Sequence, residues 1–152
     1  MNIRSSSGWT MFIFGVIALL LGLTGLIRPE TLLSILGFET IARAQRATGD
    51  FTIVFMMASS MASFNVGVYY ILAALNDVKI FYRWTVPFRV VTFLVFTSVG
   101  LAGIAPKGFI GVGIWELTGA IATGIALYFE DQKTQVAAVK SKQVPAKGKN
   151  KR

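Results

Sequence analysis

Long apolar runs separated by short polar connections are the main pattern of this 152-residue chain. Crossing the hydrocarbon core of a bilayer, about 30 Å thick, takes about 20 helical residues. Four runs reach that length, near Gly8 to Ile27, Phe51 to Leu75, Trp84 to Ile104 and Phe109 to Phe129. Because backbone groups in lipid must be hydrogen-bonded within their own segment, each run predicts a transmembrane helix. The pattern therefore predicts an all-α polytopic membrane protein, a four-transmembrane-helix bundle.

The three connections differ in length and character. Residues 28–50 form a substantial loop, in which the stretch "ETLLSILGF" and the following "ETIARAQRATG" predict one or two short helices at the membrane surface, or an ordinary folded loop with buried leucines. The connection between the third and fourth runs has only about four residues, "APKG", which predicts an antiparallel helical hairpin. We expect residues 1–132 to form the transmembrane domain and residues 133–152 a basic, largely disordered tail.

Basic residues are distributed unevenly between the two sides that four spans define. One side carries eleven of them: Arg4, Lys79, Arg83, Arg89 and seven in the tail. The other side carries four: Arg28, Arg43, Arg46 and Lys107. Because Lys and Arg are held preferentially in the cytoplasm, this bias predicts that both termini are cytoplasmic, in either the plasma membrane or the ER.

Composition narrows the chemistry that the chain can perform. Hydrophobic residues make up 54% of the chain and charged residues 14%, and there is neither cysteine nor histidine. Thiol nucleophiles, imidazole bases and Cys/His metal sites are thereby excluded, and we expect no cofactor, no metal and no catalytic residue. The net charge of +8 comes largely from the tail, which predicts attraction to anionic lipid headgroups and no binding of nucleic acid.

Two charged residues lie inside the predicted spans, where an ionised group is costly and is therefore a functional candidate. Glu116 lies about 10 Å below the outer edge of the fourth span, and Arg89 about 8 Å above the inner edge of the third, at about 1.5 Å per residue. These depths predict that the two side chains do not pair. We expect Arg89 to bond Asn65, or else to extend its guanidinium to the inner headgroups.

Glu116 is the candidate polar centre of the protein. Its nearest expected cations are Arg43 and Arg46 in the outer loop, and its neighbour Trp115 is a candidate for closing the site off. Small residues at helical spacing predict that Glu116 faces other helices: Gly113, Ala120, Thr123 and Gly124 in the same span, Ser59, Ser63 and Gly67 with the adjacent Ala58 and Ala62 in the second, and Gly15, Ala18, Gly22 and Gly25 in the first. These faces predict either tight helix packing or a ligand crevice.

Two segments, "RATGDFTIVFMMASS" and "WELTGAIATGIALY", and a first span that ends near a proline resemble the small DoxX-like and BphX-like membrane proteins. The resemblance covers most of residues 9–130. It implies a small four-helix integral membrane protein, and it transfers no functional residue onto this sequence. The size, topology and basic tail are also similar to the ER scaffold of sterol C-4 demethylation, which implies tethering of enzymes without catalysis.

The sequence supports two functional hypotheses. The first is a non-catalytic accessory or scaffold subunit that packs against itself, as a homo-oligomer, or against a partner membrane protein. The alternative is a small transporter or hydrophobic-ligand-binding protein with Glu116 as its polar centre. An autonomous enzyme would need a second catalytic group at the depth of Glu116, which the sequence does not supply.

Overall fold

The computed structural model describes residues 3–143, and within this range the chain is helical without a strand. The helices are α1 (Ser6–Ile27), α2 (Pro29–Ile35), α3 (Thr52–Leu75), α4 (Lys79–Leu101) and α5 (Gly108–Gln143), with a single 3-10 turn at Arg43–Gln45. Four of them, α1, α3, α4 and α5, are long and apolar enough to cross a membrane. The predicted all-α class and the four long apolar helices are thus confirmed.

Local sequence accounts for the helix ends. The Ser5 side chain caps α1 by accepting a hydrogen bond of 3.0 Å from the Gly8 N–H. Pro29 ends α1 because it disfavours the helical conformation of Arg28, and it occupies the first position of α2, where its missing N–H costs nothing. Gly103, with φ +70°, follows the end of α4.

Two spans have different limits from those predicted. α4 begins at Lys79 and ends at Leu101, whereas the apolar run was bounded at Trp84 and Ile104. The polar residues before Trp84 are helical because they bond to other segments at the end of the molecule, so hydropathy alone underestimated the helix. α5 continues through the proposed boundary at residue 132 to Gln143, and the rest of the tail, 144–152, lies outside the described residues.

The long helices pack as two pairs. α1 packs along α3, α4 packs along α5, and contacts between α1 and α5 join the pairs, whereas α3 and α4 contact each other only sparsely. Glycines allow the close approach of α1 and α3: a Cβ at Gly67 would lie 2.5 Å from the Leu19 backbone nitrogen and 2.7 Å from the Gly15 carbonyl oxygen. Consequently α1 and α5 occupy the centre of the fold.

The small-residue faces are only partly used in this packing. The α1 glycines and, on α3, Ser63 and Gly67 face neighbouring helices, and the Ser63 hydroxyl donates a 2.9 Å hydrogen bond to the Ala18 carbonyl. On α3, however, Ala58, Ser59 and Ala62 are exposed. The contact face of α3 runs through Ser60, not Ser59, since Ser60 is buried against α1.

The loop of residues 28–50 folds over the connection between α4 and α5. Leu33 of α2 is buried, and Phe38 meets Phe109 edge-on with ring centroids 5.8 Å apart. Of the one or two short helices expected here, α2 is present, and the "ETIARAQRATG" stretch has only the 3-10 turn. Ala42 is extended immediately before that turn, which prevents a longer helix.

Candidate functional site

Arg89 lies on the inner face of α4 with only 2% of its side chain exposed. Its guanidinium carbon lies 3.7 Å from the centroid of the Phe14 ring of α1 and 5.0 Å from that of the Tyr70 ring of α3. Such contacts stabilise a cation through the negative face of the ring. A single charged side chain is therefore surrounded by residues from several helices in the interior of the fold.

Glu116 of α5 is the acid closest to this cation. Its Oε2 lies 3.7 Å from the Nε of Arg89, and 25% of its side chain is exposed. The separation is too long for a hydrogen bond, and none of the three guanidinium nitrogens has a hydrogen-bond partner within residues 3–140. The pair is thus held by charge alone, with the guanidinium N–H groups unsatisfied.

This contact shows that the expected separation of Arg89 and Glu116 was wrong. Arg89 lies about 15 Å from the start of α4 at Lys79 and about 18 Å from its end at Leu101, at about 1.5 Å per residue. Glu116 lies about 12 Å into α5 from the same end of the molecule. The two long side chains bridge the difference of about 6 Å, so Arg89 turns inward and does not extend to the headgroups.

The other predicted partners are also placed differently. Asn65 is half-buried on α3 and makes no hydrogen bond to Arg89, in keeping with the sparse contact between α3 and α4. Arg43 donates to Glu30 at 2.6 Å and Arg46 donates to Asp50 at 2.8 Å. Both loop arginines therefore neutralise acids of their own loop, and neither reaches Glu116.

These loop contacts favour the ionised carboxylates. The hydrogen bond from Arg43 lowers the pKa of Glu30 below its ordinary value. Hydrogen bonds from the hydroxyl and the backbone N–H of Thr52 lower the pKa of Asp50. The loop thus contains two ion pairs of its own, separate from the pair between α4 and α5.

Trp115 contributes to the site through Phe14. The two rings are stacked, with centroids 4.4 Å apart and planes at 24°. Phe14 therefore contacts both the Arg89 guanidinium and the Trp115 indole, while Trp115 remains partly exposed. The exposed indole makes Trp115 a natural reporter of events at the pair.

Sequence reasoning missed three residues of this site, namely Phe14, Tyr70 and Gly119. A Cβ at Gly119 would overlap the Phe14 ring and the Arg89 guanidinium, so a larger residue there would force one of these groups to shift. Gly119 lies one helical turn after Glu116, so helical spacing alone could have identified it as a residue on the same face. Nothing in the sequence distinguishes Phe14 or Tyr70 from the chain's other aromatic residues.

A second polar cluster lies at the opposite end of the molecule from the loop. Glu130 of α5 accepts hydrogen bonds from the backbone N–H and the hydroxyl of Ser7, both at 2.9 Å, and its Oε2 lies 3.0 Å from the Lys79 Nζ. Ser5 donates to Asp77 in the turn between α3 and α4 at 2.6 Å. These bonds connect the start of α1, the turn between α3 and α4, and the part of α5 around Glu130, which is predicted to lie on the cytoplasmic side.

The arrangement limits the available chemistry. No group of three or more acidic side chains in the described range is suited to hold a metal ion. Arg89 and Glu116 provide one buried cation and one half-open carboxylate, which suit recognition of a polar group better than bond cleavage. No protein-family model, curated protein or solved structure matches the chain.

Proposed function

We propose that the chain is a multi-pass integral membrane protein, with α1, α3, α4 and α5 as its spans and both termini in the cytoplasm. Large apolar side chains project outward from these helices, among them Phe55, Phe88 and Leu101, each more than two-thirds exposed. An apolar outer surface of this extent fits lipid as the surrounding solvent. The resemblance to small DoxX-like and BphX-like proteins agrees with this proposal.

The proposed activity is binding of a hydrophobic ligand with a hydrogen-bond-accepting head, centred on Arg89 and Glu116. The observation that carries it is the fully buried guanidinium of Arg89, whose three nitrogens lack any acceptor among residues 3–140. A buried donor without an acceptor costs about 1–3 kcal/mol, and more when it is charged. A ligand head that accepts from Arg89 would recover that cost.

The surroundings of the pair favour a largely apolar ligand. Phe14, Tyr70 and Trp115 provide aromatic surface, and Gly119 keeps α5 close to it. Because Glu116 is partly exposed and Arg89 is buried, a ligand would reach Arg89 from the side of Glu116. Displacement of the Glu116 carboxylate toward the surface would free the guanidinium for the head of the ligand.

An accessory or scaffold subunit is the second candidate function. The hypothesis rested mainly on the small-residue faces of α1 and α5, and these faces pack mostly against other helices of the same chain. The exposed Ala58, Ser59 and Ala62 on α3 still offer a surface for a second copy or a partner membrane protein. Crosslinking in mild detergent tests this candidate: a reproducible dimer or partner supports it, and a strictly monomeric protein eliminates it.

Trp115 fluorescence tests the ligand-binding proposal. Replacing Trp9 and Trp84 by Phe leaves Trp115 as the single tryptophan. In reconstituted protein we expect dibromostearic acid to quench Trp115 saturably, and a dibromoalkane of equal length, which has no head group, to quench it only in proportion to its concentration. Arg89→Gln should abolish the saturable part.

Arg83→Gln is the matched control, because Arg83 lies on the same helix and pairs with Asp131 at the surface. It should retain saturable quenching. Circular dichroism verifies that both variants keep their helices. Identical quenching by the acid and the alkane, or saturable quenching that survives Arg89→Gln, would refute the proposed site.

A further inference from the structure

We propose that a depression between the start of α1, the start of α4 and α5 binds the phosphate head group of an anionic membrane lipid. Its volume is 270 Å³. Seven residues line it: Arg4, Ser5, Ser6, Lys79, Glu130, Lys133 and Thr134. This site goes beyond the ligand site at Arg89, from which it is distinct, and it relies only on the proposed insertion in a bilayer.

Charge is the first argument for this occupant. Arg4, Lys79 and Lys133 come from three separate segments and converge on the depression. The one acid in the lining, Glu130, already binds the Ser7 backbone, the Ser7 hydroxyl and Lys79. With three cations and one carboxylate, the lining has a formal charge of +2.

Arg4 and Lys133 supply the part of that positive charge that no ion pair neutralises. Among the side chains of residues 3–140 neither forms an ion pair, whereas nearby Arg83 is neutralised by Asp131 at 2.7 Å. Both are exposed, so they reach an incoming ligand without a change in the fold. Phosphate oxygens are the acceptors that suit a guanidinium and an ammonium group.

The position along the helices is the second argument. Exposed Trp9 of α1, Trp84 of α4 and Tyr128 of α5 lie within about two helical turns of the depression, on its span side. Tryptophan and tyrosine concentrate at the level of lipid headgroups. The depression then lies at the phosphate level of the cytoplasmic leaflet, where anionic lipids are abundant.

The apolar surface next to the depression distinguishes a lipid from a soluble phosphate. Phe129 is exposed one residue before Glu130, and Ile13 is exposed on α1 one turn beyond Trp9. Acyl chains of a bound lipid would lie along these side chains while its phosphate contacts Arg4 and Lys133. A free phosphate ion gains nothing from this surface.

Thermal unfolding of the full-length protein in detergent micelles tests the proposal. Dioleoyl phosphatidate, dioleoyl phosphatidylcholine and inorganic phosphate are the three probes. We expect phosphatidate to raise the unfolding midpoint in a concentration-dependent manner, and the other two probes to leave it unchanged. In the double variant Arg4→Gln/Lys133→Gln, phosphatidate should bind about 25-fold more weakly, about fivefold for each cation.

Two further variants make the outcome specific. Lys147→Gln/Lys149→Gln removes two charges from the tail, and Arg89→Gln disables the proposed ligand site; both should retain the response to phosphatidate. The proposal is overturned if the double variant responds like the parent, if the tail variant loses the response, or if inorganic phosphate or phosphatidylcholine produces the same shift. Loss of fatty-acid quenching at Trp115 alone would leave this site unaffected.

Discussion

Arg89 shows how one residue can be held in an environment that disfavours it. Its charge is offset by Glu116 at 3.7 Å and by the faces of Phe14 and Tyr70, but its N–H groups remain unsatisfied. A buried ion pair is often no more stabilising than apolar residues of the same volume, whereas removing one partner is strongly destabilising. We therefore expect that apolar residues at these two positions would give a higher free energy of unfolding, and that the pair is present because it binds a ligand.

Replacement of one or both members of the pair tests this balance. Glu116→Leu leaves Arg89 as an uncompensated buried charge and should lower the free energy of unfolding by about 3–5 kcal/mol. Arg89→Met/Glu116→Leu removes both charges and should recover most of that loss. Reversible unfolding in mixed micelles, followed by circular dichroism, measures the difference.

The exposed pair of Arg83 and Asp131 provides the reference for this comparison. Its side chains are 47% and 42% exposed. Exposed pairs contribute at most about 1 kcal/mol, so Asp131→Leu should have a small effect. A double variant at positions 89 and 116 that is as unstable as Glu116→Leu would show that the pair itself stabilises the fold.

At the scale of elements, the pairing of α1 with α3 depends on glycine. A Cβ at Gly67 would meet backbone atoms of Leu19 and Gly15, which cannot move aside as a side chain can. Gly67→Ala should therefore force the helices apart and lower the free energy of unfolding by about 1–3 kcal/mol. The same unfolding measurement in mixed micelles tests this.

Gly111 on α5 is the matched control, since a Cβ there meets nothing within 4 Å. Gly111→Ala adds the same methyl group without a clash and favours the helix, so stability should be unchanged or higher by up to about 1 kcal/mol. Equal destabilisation by both substitutions would mean that glycine acts through local helix flexibility and not through packing.

Hydropathy predicted the long helices because each one is apolar around most of its surface. It misplaced the start of α4 because Lys79 and Arg83 are polar yet helical, bonded to Glu130 and Asp131 of α5. That error of five residues shifted the estimated depth of Arg89 and hid its proximity to Glu116. The aromatic contacts of Arg89 depend on which helices are neighbours, and an apolar pattern does not contain that information.

At the scale of the whole molecule, the two ends have different charge. The start of α1, the start of α4, and α5 meet at one end through Ser7, Lys79 and Glu130. At the other end, the loop of residues 28–50 covers the connection between α4 and α5 and contains two ion pairs of its own. Since basic residues concentrate at the first end, it is the proposed cytoplasmic end.

Cysteine labelling tests this orientation against a background free of thiols, because the chain has no cysteine. Asn76→Cys and Thr134→Cys place an exposed thiol at the proposed cytoplasmic end, and Thr48→Cys and Lys107→Cys place one at the opposite end. In intact cells a membrane-impermeant maleimide should label only the second two variants. Permeabilised cells should show labelling of all four, which verifies that each thiol is accessible. Labelling of the first two alone would invert the topology and put the proposed phosphate site on the wrong leaflet, whereas partial labelling of all four in intact cells would indicate insertion in both orientations.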